Sequence, residues 1–416
     1  MASISSVCRL ARPIVCACAL VAVGAGSVAR ADVVTSTNER TAEIASKLTP
    51  TPFAVRAVAI AQVAVFAAAN AVTQKYIDPY AIPADTGASL DAAVAAANRG
   101  VLLELVPNER EAIEAGYAAA MRAVPVGPAR QRGITLGERA ASAVLAARAD
   151  DGAAAPNAYR PTTAAGVYAP TTLPAVPHWG QRRPWFMSSG RQFRPPPPPA
   201  LDTETWARDY NEIRIIGARQ SEKRTAEQTA SARFWEATAP VVYWHVVRSI
   251  AAQSGRDVTA NARLLAVAAM AMDDALIAVF DAKYFYNFWR PITAIRNGDL
   301  DGNDATTRDP EWMPLIDTPM HPEYPCAHCI LASSLATVLE TEVGDAPMPQ
   351  LNSISPLAPD LKRSWRTIAE FARDVSEARI CDGVHFRNST EVATAMGRKI
   401  GSLAVERAAQ RKQATR

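Results

Sequence analysis

The sequence predicts an all-α protein, a helical bundle. Two observations predict it: alanine-rich stretches carry apolar residues at helical spacing through most of the chain, and no stretch alternates apolar and polar residues convincingly enough to read as a strand. No internal repeat of fixed period is present, which argues against a solenoid. With 416 residues, 49% of them hydrophobic, the chain can bury one large core or two modest ones. A net charge of only +3 gives no support for a nucleic-acid surface.

From the N-terminus, Arg9 and Arg12 precede an apolar run over residues 14–28, and Ala29-Arg30-Ala31 supplies a small-x-small cleavage site. Residues 1–31 are therefore expected to be a cleaved signal peptide, leaving a mature chain that starts at Asp32, in the periplasm or secreted. The run is shorter than the ~20 apolar residues of a membrane span, so no stable span is expected after cleavage. Cleavage removes Cys8, Cys16 and Cys18 and leaves Cys326, Cys329 and Cys381, enough for one disulfide at most.

Helices are expected over residues 53–72, 90–105, 109–124 and 136–148, with Pro52 suited to a first helical turn, and these make an N-terminal helical region, 32–148. Residues 149–201 change to Gly, Pro, Thr and aromatics and close with five prolines at 195–199, which favour polyproline II. Trp179, Trp185 and Phe186 argue against plain disorder, so this stretch reads as a Pro-rich wrap or linker. Helical spacing resumes near Thr203. The C-terminal helical region, 202–416, has expected helices over 221–237, 241–254, 261–288, 326–343, 360–379 and 390–408, with a loop at 297–314. Helix 261–288 contains LLAVAAMAMDDALIAVF; interrupted by Asp273 and Asp274 and too short for a span, it reads as a buried core helix.

The chemistry concentrates in three segments of that region. They are KYFYNFWRP with Lys283 and Arg290, YPCAH with His328, and ARICDGVHF with Arg379 and His385. A lysine and two arginines can offset the charge of an oxyanion while donating directional bonds, and an arginine fork holds two oxygens at once. A solvated surface is the usual place for such cations, but these three lie among aromatic and apolar residues, where an unpaired charge is costly. His385 offers a ring nitrogen as ligand or nucleophile, and His328, at the expected start of a helix, can move protons. The other histidines, His178, His245 and His321, read as packing or hydrogen-bonding residues, with a place near the site left open for His321. Asp273 and Asp274 read more readily as a helix cap or ion pair than as support for the site.

Lys283, six residues, Arg290-Pro291, then Pro325-Cys326-Ala327-His328, then Arg379, five residues, His385 resembles the three-part signature of the type 2 phosphatidic acid phosphatase and vanadium haloperoxidase superfamily. The aromatic filling of KYFYNFWRP, with FRPPPPPAL and RTAEQTASARFW, resembles the chloroperoxidase-like branch. The resemblance covers most of the mature chain. It implies the helical bundle of that superfamily and vanadate as cofactor, bound by His385 and held by Lys283, Arg290, Arg379 and the turn at Cys326 and Ala327. His328 would manage protons, and the partners would be hydrogen peroxide and a halide or small organic substrate. Vanadate mimics the phosphoryl-transfer transition state, so the alternative is a phosphatase acting on a phosphoester through a phosphohistidine at His385.

The family's Pro-Ser-Gly-His is Pro-Cys-Ala-His here, which replaces a hydroxyl donor by a weaker and oxidisable thiol, and Ala378 stands where a serine precedes Arg379. Cys326, Cys329, Cys381 and His385 also offer Cys₃His spacing for structural zinc, Cys326-x-x-Cys329 the spacing of a redox dithiol, and a catalytically dead binding protein keeps the same fold. A homodimer is left open, since no surface pattern decides it.

Overall fold

A computed structural model of the protein describes residues 32–237, 240–253 and 255–409. The expected signal peptide at 1–31 and Ser254, the expected end of one helix, lie outside the described residues. The first half holds α1 (Val33–Ala45), α2 (Thr51–Thr73), α3 (Leu90–Leu105), α4 (Arg110–Met121) and α5 (Pro128–Arg148). After the Pro-rich stretch come α6 (Glu204–Ile216), α7 (Ala226–Phe234), α8 (Val241–Ala251), α9 (Val258–Tyr286), α10 (Pro291–Arg296) and α11 (Ala327–Val343). An antiparallel pair, β1 (Leu351–Ser355) and β2 (Ala358–Trp365), then precedes α12 (Ile368–Cys381) and α13 (Arg387–Ala408). The protein is helical as expected.

Three local differences have physical causes. α1 was not anticipated in a Thr-rich segment of poor helix propensity; the Asp32 carboxylate caps it by accepting the Thr35 N–H at 2.7 Å. α5 starts eight residues earlier than its periodicity suggests, at Pro128, a favoured first helical position. The hairpin is a correction, because a helix was expected from residue 360 and no strand anywhere. In β2 the inward positions are Leu361, Arg363 and Trp365, and Arg363 points inward because Asp374 receives its guanidinium at 2.8 and 3.0 Å. A charged residue on the inner face hides the period-two pattern from hydropathy.

One apolar core runs from α2 through α9 to α11 and takes in α8, α12 and α13. Burying side chains such as Leu265, Leu276 and Ile277 of α9 contributes roughly 1.5–3 kcal/mol each. By length and composition α2 could cross a bilayer, but 83% of its most apolar window is buried against the rest of the protein. Close approach of α3 and α5 depends on Gly137, where a Cβ would overlap the Ala93 carbonyl.

Residues 149–203 lie across α9 and are fastened there by acidic side chains. Asp273 accepts Arg182 at 2.8 Å and the Trp185 indole N–H at 2.8 Å. Asp274 takes the backbone N–H groups of Trp185, Phe186 and Met187 at 2.7, 2.8 and 3.2 Å. Asp281 forks with Arg194 at 2.8 and 2.9 Å. The prolines are reached by Tyr286, which donates to the Pro195 carbonyl, and by Tyr324, which donates to that of Pro196 at 2.9 Å. Asp273 thus serves the ion-pair reading of the sequence, while Asp274 accepts only backbone amides of the wrap.

Candidate oxyanion site

Four helix ends bring the three sequence segments together. Lys283 lies in the last turn of α9, which stops at Asn287 in the left-handed region (φ 48°); the chain then turns through Phe288 and Trp289 to Arg290, the N-cap of α10. Cys326 is the N-cap of α11, so Ala327 and His328 occupy its first turn, where backbone N–H groups have no intrahelical acceptor. Arg379 sits in the last turn of α12. Beyond it, Gly383 adopts φ 86° and returns the chain so that the His385 N–H reaches the Arg379 carbonyl at 3.1 Å.

All the expected cations are buried. Lys283 is 0% exposed, Arg290 and Arg379 1% each, His385 1% and His328 9%. Lys283 Nζ donates to the Pro322 and Glu323 carbonyls at 2.9 and 2.7 Å, which fixes the segment leading into α11. Arg290 donates to the carbonyls of His321 and Val384 at 2.8 and 2.9 Å, and its fork also meets His321 Nδ1 at 2.9 Å and His385 Nε2 at 3.4 Å. Arg379 Nη1 donates to the Trp235 carbonyl at 3.0 Å and lies 2.8 Å from Asp382 Oδ2. Two buried nitrogens at the site, Arg379 Nε and His328 Nε2, have no hydrogen-bond partner, and neither do the carboxylate oxygens Glu323 Oε2 and Asp382 Oδ2, the latter lying in ion-pair reach of Arg379.

Sequence reasoning missed two carboxylates that organise this cluster. Glu323 Oε1 lies 2.8 Å from His385 Nδ1 and also accepts the Phe386 N–H at 3.0 Å. A carboxylate at Nδ1 places the proton there, which leaves the Nε2 lone pair facing Arg290 and free to bind or attack. Asp382 pairs Arg379. Asp382 lies inside ARICDGVHF and Glu323 one residue before YPCAH, and the signal was the need of buried cations for counterions. His321 belongs at the site as a partner of Arg290.

Burial dominates the electrostatics. It lowers Lys283 well below the usual lysine value, with Arg290 adding to the effect, and brings Arg290 down to about 10. It also pushes His321, His328 and His385 well below the ordinary histidine range, and neighbouring cations push the same way. Glu323 and Asp382 are each raised to about 7 by burial. Three cations therefore face two carboxylates that are only partly charged near neutrality. The imbalance, the two unpartnered nitrogens and the first-turn amides of α11 fit a tetrahedral or trigonal-bipyramidal oxyanion.

The same geometry bears on two competing readings of the cysteines, the disulfide and the zinc site. Cys326, Cys329 and Cys381 are buried free thiols, so the disulfide allowed by their number is not formed. Among the described residues no group of three or more His, Cys, Asp or Glu side chains is placed to hold a metal ion, which takes away the Cys₃His arrangement.

Fold and site define a helical protein with a buried cationic cradle closed by a carboxylate-oriented histidine. Residues 263–414 match the family of the VCPO second helical-bundle domain. The vanadium chloroperoxidase of Curvularia inaequalis is 26% identical over 193 residues, covering 38% of this chain and 31% of that protein, so the match spans about a third of the relative's length. The fold resembles the crystal structure of a bacterial vanadium-dependent iodoperoxidase, with TM-score 0.76 and 23% identity over 90% of this chain and 95% of that one. It also resembles the holo-type bacterial vanadium-dependent chloroperoxidase, with TM-score 0.69 and 20% identity over 88% and 95%. The chain thus has the fold of these vanadium-dependent haloperoxidases, and its residues 263–414 are similar to the VCPO second helical-bundle domain.

Proposed function

We propose that the protein is a vanadium haloperoxidase-like enzyme that uses vanadate and hydrogen peroxide to oxidise a halide or another small nucleophile. The carrying observation is the Glu323–His385 pair, which leaves a neutral imidazole Nε2 inside a shell of three buried cations. His385 Nε2 would be the vanadate ligand. Lys283, Arg290 and Arg379 would hold its oxygens, helped by the first-turn amides at Ala327 and His328. Bound vanadate supplies Lewis-acid activation of peroxide. Glu323 holds the proton on His385 Nδ1, and His328, whose Nε2 has no protein partner, can take up or return a proton at the oxygen facing it. The aromatic residues Tyr243 and Trp235, packed behind α11 and α12, exclude bulk water from this side.

The same free Nε2 favours one second reading, a phosphatase with His385 as nucleophile and His328 as general acid. Protein loaded with vanadate is expected to halogenate an organic acceptor in a peroxide-dependent assay, and vanadate-free protein is expected to hydrolyse a phosphate ester slowly or not at all. Phosphatase turnover without halogenation under any halide sinks the peroxidase assignment. The same proposal puts the mature chain, from Asp32 on, in the periplasm or outside the cell, on the strength of residues 1–31 as sequence; N-terminal sequencing of exported protein tests it.

A further inference from the structure

α11 opens at the oxyanion site with two thiols one turn apart. Cys326 Sγ accepts the Cys329 N–H at 3.3 Å, both residues are 0% exposed, and neither is bridged. Residues three apart at a helix start lie on one face with Cα atoms about 5 Å apart. That is inside the about 4.4–6.8 Å that a disulfide spans. The Cys326 N–H donates to the Ser389 carbonyl at 3.3 Å, next to the turn that carries His385. Lys283 is anchored on the carbonyls of Pro322 and Glu323, in the segment that leads into Cys326.

We propose that Cys326 and Cys329 are an oxidisable dithiol built into the oxyanion site, converted by hydrogen peroxide into an intrahelical-turn disulfide and restored by an external dithiol. The inference rests on the reading of this site as one that admits peroxide. The Cys326 thiolate attacks one peroxide oxygen, the O–O bond breaks, and the departing hydroxide takes a proton and leaves as water. The Cys329 thiol then attacks the sulfenic sulfur; the S–S bond forms, the S–O bond breaks, and hydroxide leaves with the Cys329 proton as a second water. The two sulfurs together lose two electrons and the peroxide gains them. Reduction runs by two exchange steps in which the external dithiol ends as its own disulfide.

The two thiols are unlike, as an attacking and a resolving cysteine should be. Burial works to raise Cys326, yet the hydrogen bond from Cys329 and the charges of Arg379 and Lys283 hold it below its ordinary value, at a helix N-terminus that favours the thiolate. Burial pushes Cys329 well up. Cys381 is an internal control: burial and the charge of Asp382 push it to about 12, at the C-terminus of α12 and with no second thiol on its helix turn.

The test is made on the full chain, without vanadate, by adding a few equivalents of hydrogen peroxide, alkylating under denaturing conditions and analysing tryptic peptides. The peptide spanning 309–362 holds both Cys326 and Cys329, and 380–387 holds Cys381. The expected result is loss of two hydrogens and of all label from the first peptide, full label on the second, and recovery of both labels after dithiothreitol. Cys329→Ser is expected to stop at a sulfenic acid on Cys326 that dimedone traps. Full labelling of Cys326 and Cys329 after peroxide, or oxidation at Cys381 first, overturns the proposal. Vanadate titration of the reduced sample keeps the two readings apart: disulfide formation in a protein that binds no vanadate overturns the oxyanion reading and leaves the dithiol standing.

Discussion

Two clusters of three buried or nearly buried cations adjoin α9, one at its middle and one at its last turn, and they are resolved in different ways. At the wrap, Arg56, Arg148 and Arg182 are met by the carboxylates of Asp151 and Asp273, while Asp274, raised to about 7 by burial, accepts backbone amides; Arg148 and Arg182 also lie over the rings of Trp185 and Trp179. Burial alone would raise Asp151, but the hydrogen-bonded guanidiniums of Arg56 and Arg182 hold it at about 2. At the site, Lys283, Arg290 and Arg379 face only Glu323 and Asp382, both pushed to about 7 by burial. Arginines that each meet a carboxylate make a fastener. Cations held on neutral carbonyls and imidazoles, as Lys283 and Arg290 are, ask for an anion from outside, and that difference, rather than burial or charge alone, separates structure from function here.

The largest effect expected from breaking this comparison is on stability. Arg182→Ala leaves Asp151 and Asp273 buried with fewer partners and is expected to cost about 3–5 kcal/mol in denaturant unfolding. Vanadate affinity of the folded variant is expected to be unchanged; a protein that melts like the parent shows the wrap network to be dispensable. Lys283→Met and Arg379→Gln should do the reverse. Each is expected to weaken vanadate and phosphate by roughly ten- to a hundredfold, or ~1.5–3 kcal/mol, in calorimetric titration, while vanadate-free stability falls far less.

Glu323→Gln sharpens the contrast further. With the Nδ1 proton no longer held by a carboxylate, vanadate affinity is expected to fall about 10–100-fold. Its pH signature also differs from that of the wrap. Glu323 has a raised folded value, so its contribution to vanadate-free stability is present below about pH 4.5 and is lost as pH rises through about 7. Asp151 has a depressed value, so its contribution is present above about pH 3.8 and is lost as pH falls through about 2. Unfolding curves across this range should lose the neutral limb in Glu323→Gln and the acid limb in Asp151→Asn; identical profiles would merge the two clusters into one kind. The smallest effect belongs to Cys326→Ser. Serine is the better N-cap for α11, and no disulfide or zinc bond is lost, so a gain of up to about 1 kcal/mol is expected in thermal melts.

What the sequence disclosed followed from how local each signal was. Lys283, Arg290, Cys326, His328, Arg379 and His385 stood out because each lies in a compact motif, and the structure gathers all of them at helix ends. The helices α3 and α11 were legible nearly to the residue, since apolar spacing and a cap mark both ends. Glu323 and Asp382 were not, because a carboxylate in a loop resembles any solvated acid until a buried cation is seen beside it. β2 was hidden for the same reason: Arg363 faces inward only because Asp374, eleven residues on, is there to meet it. Long-range pairing of charges leaves no periodicity in the chain.

The attachment of the wrap to α9 also sets an order of events in folding. The Trp185, Phe186 and Met187 amides close onto Asp274 across 87 to 89 residues, so their ring closure needs α9 to exist already as a surface. Those three amide protons should therefore be among the last in the chain to gain protection from hydrogen exchange during refolding, well after the amides of α3 and α5, whose partners lie close in sequence.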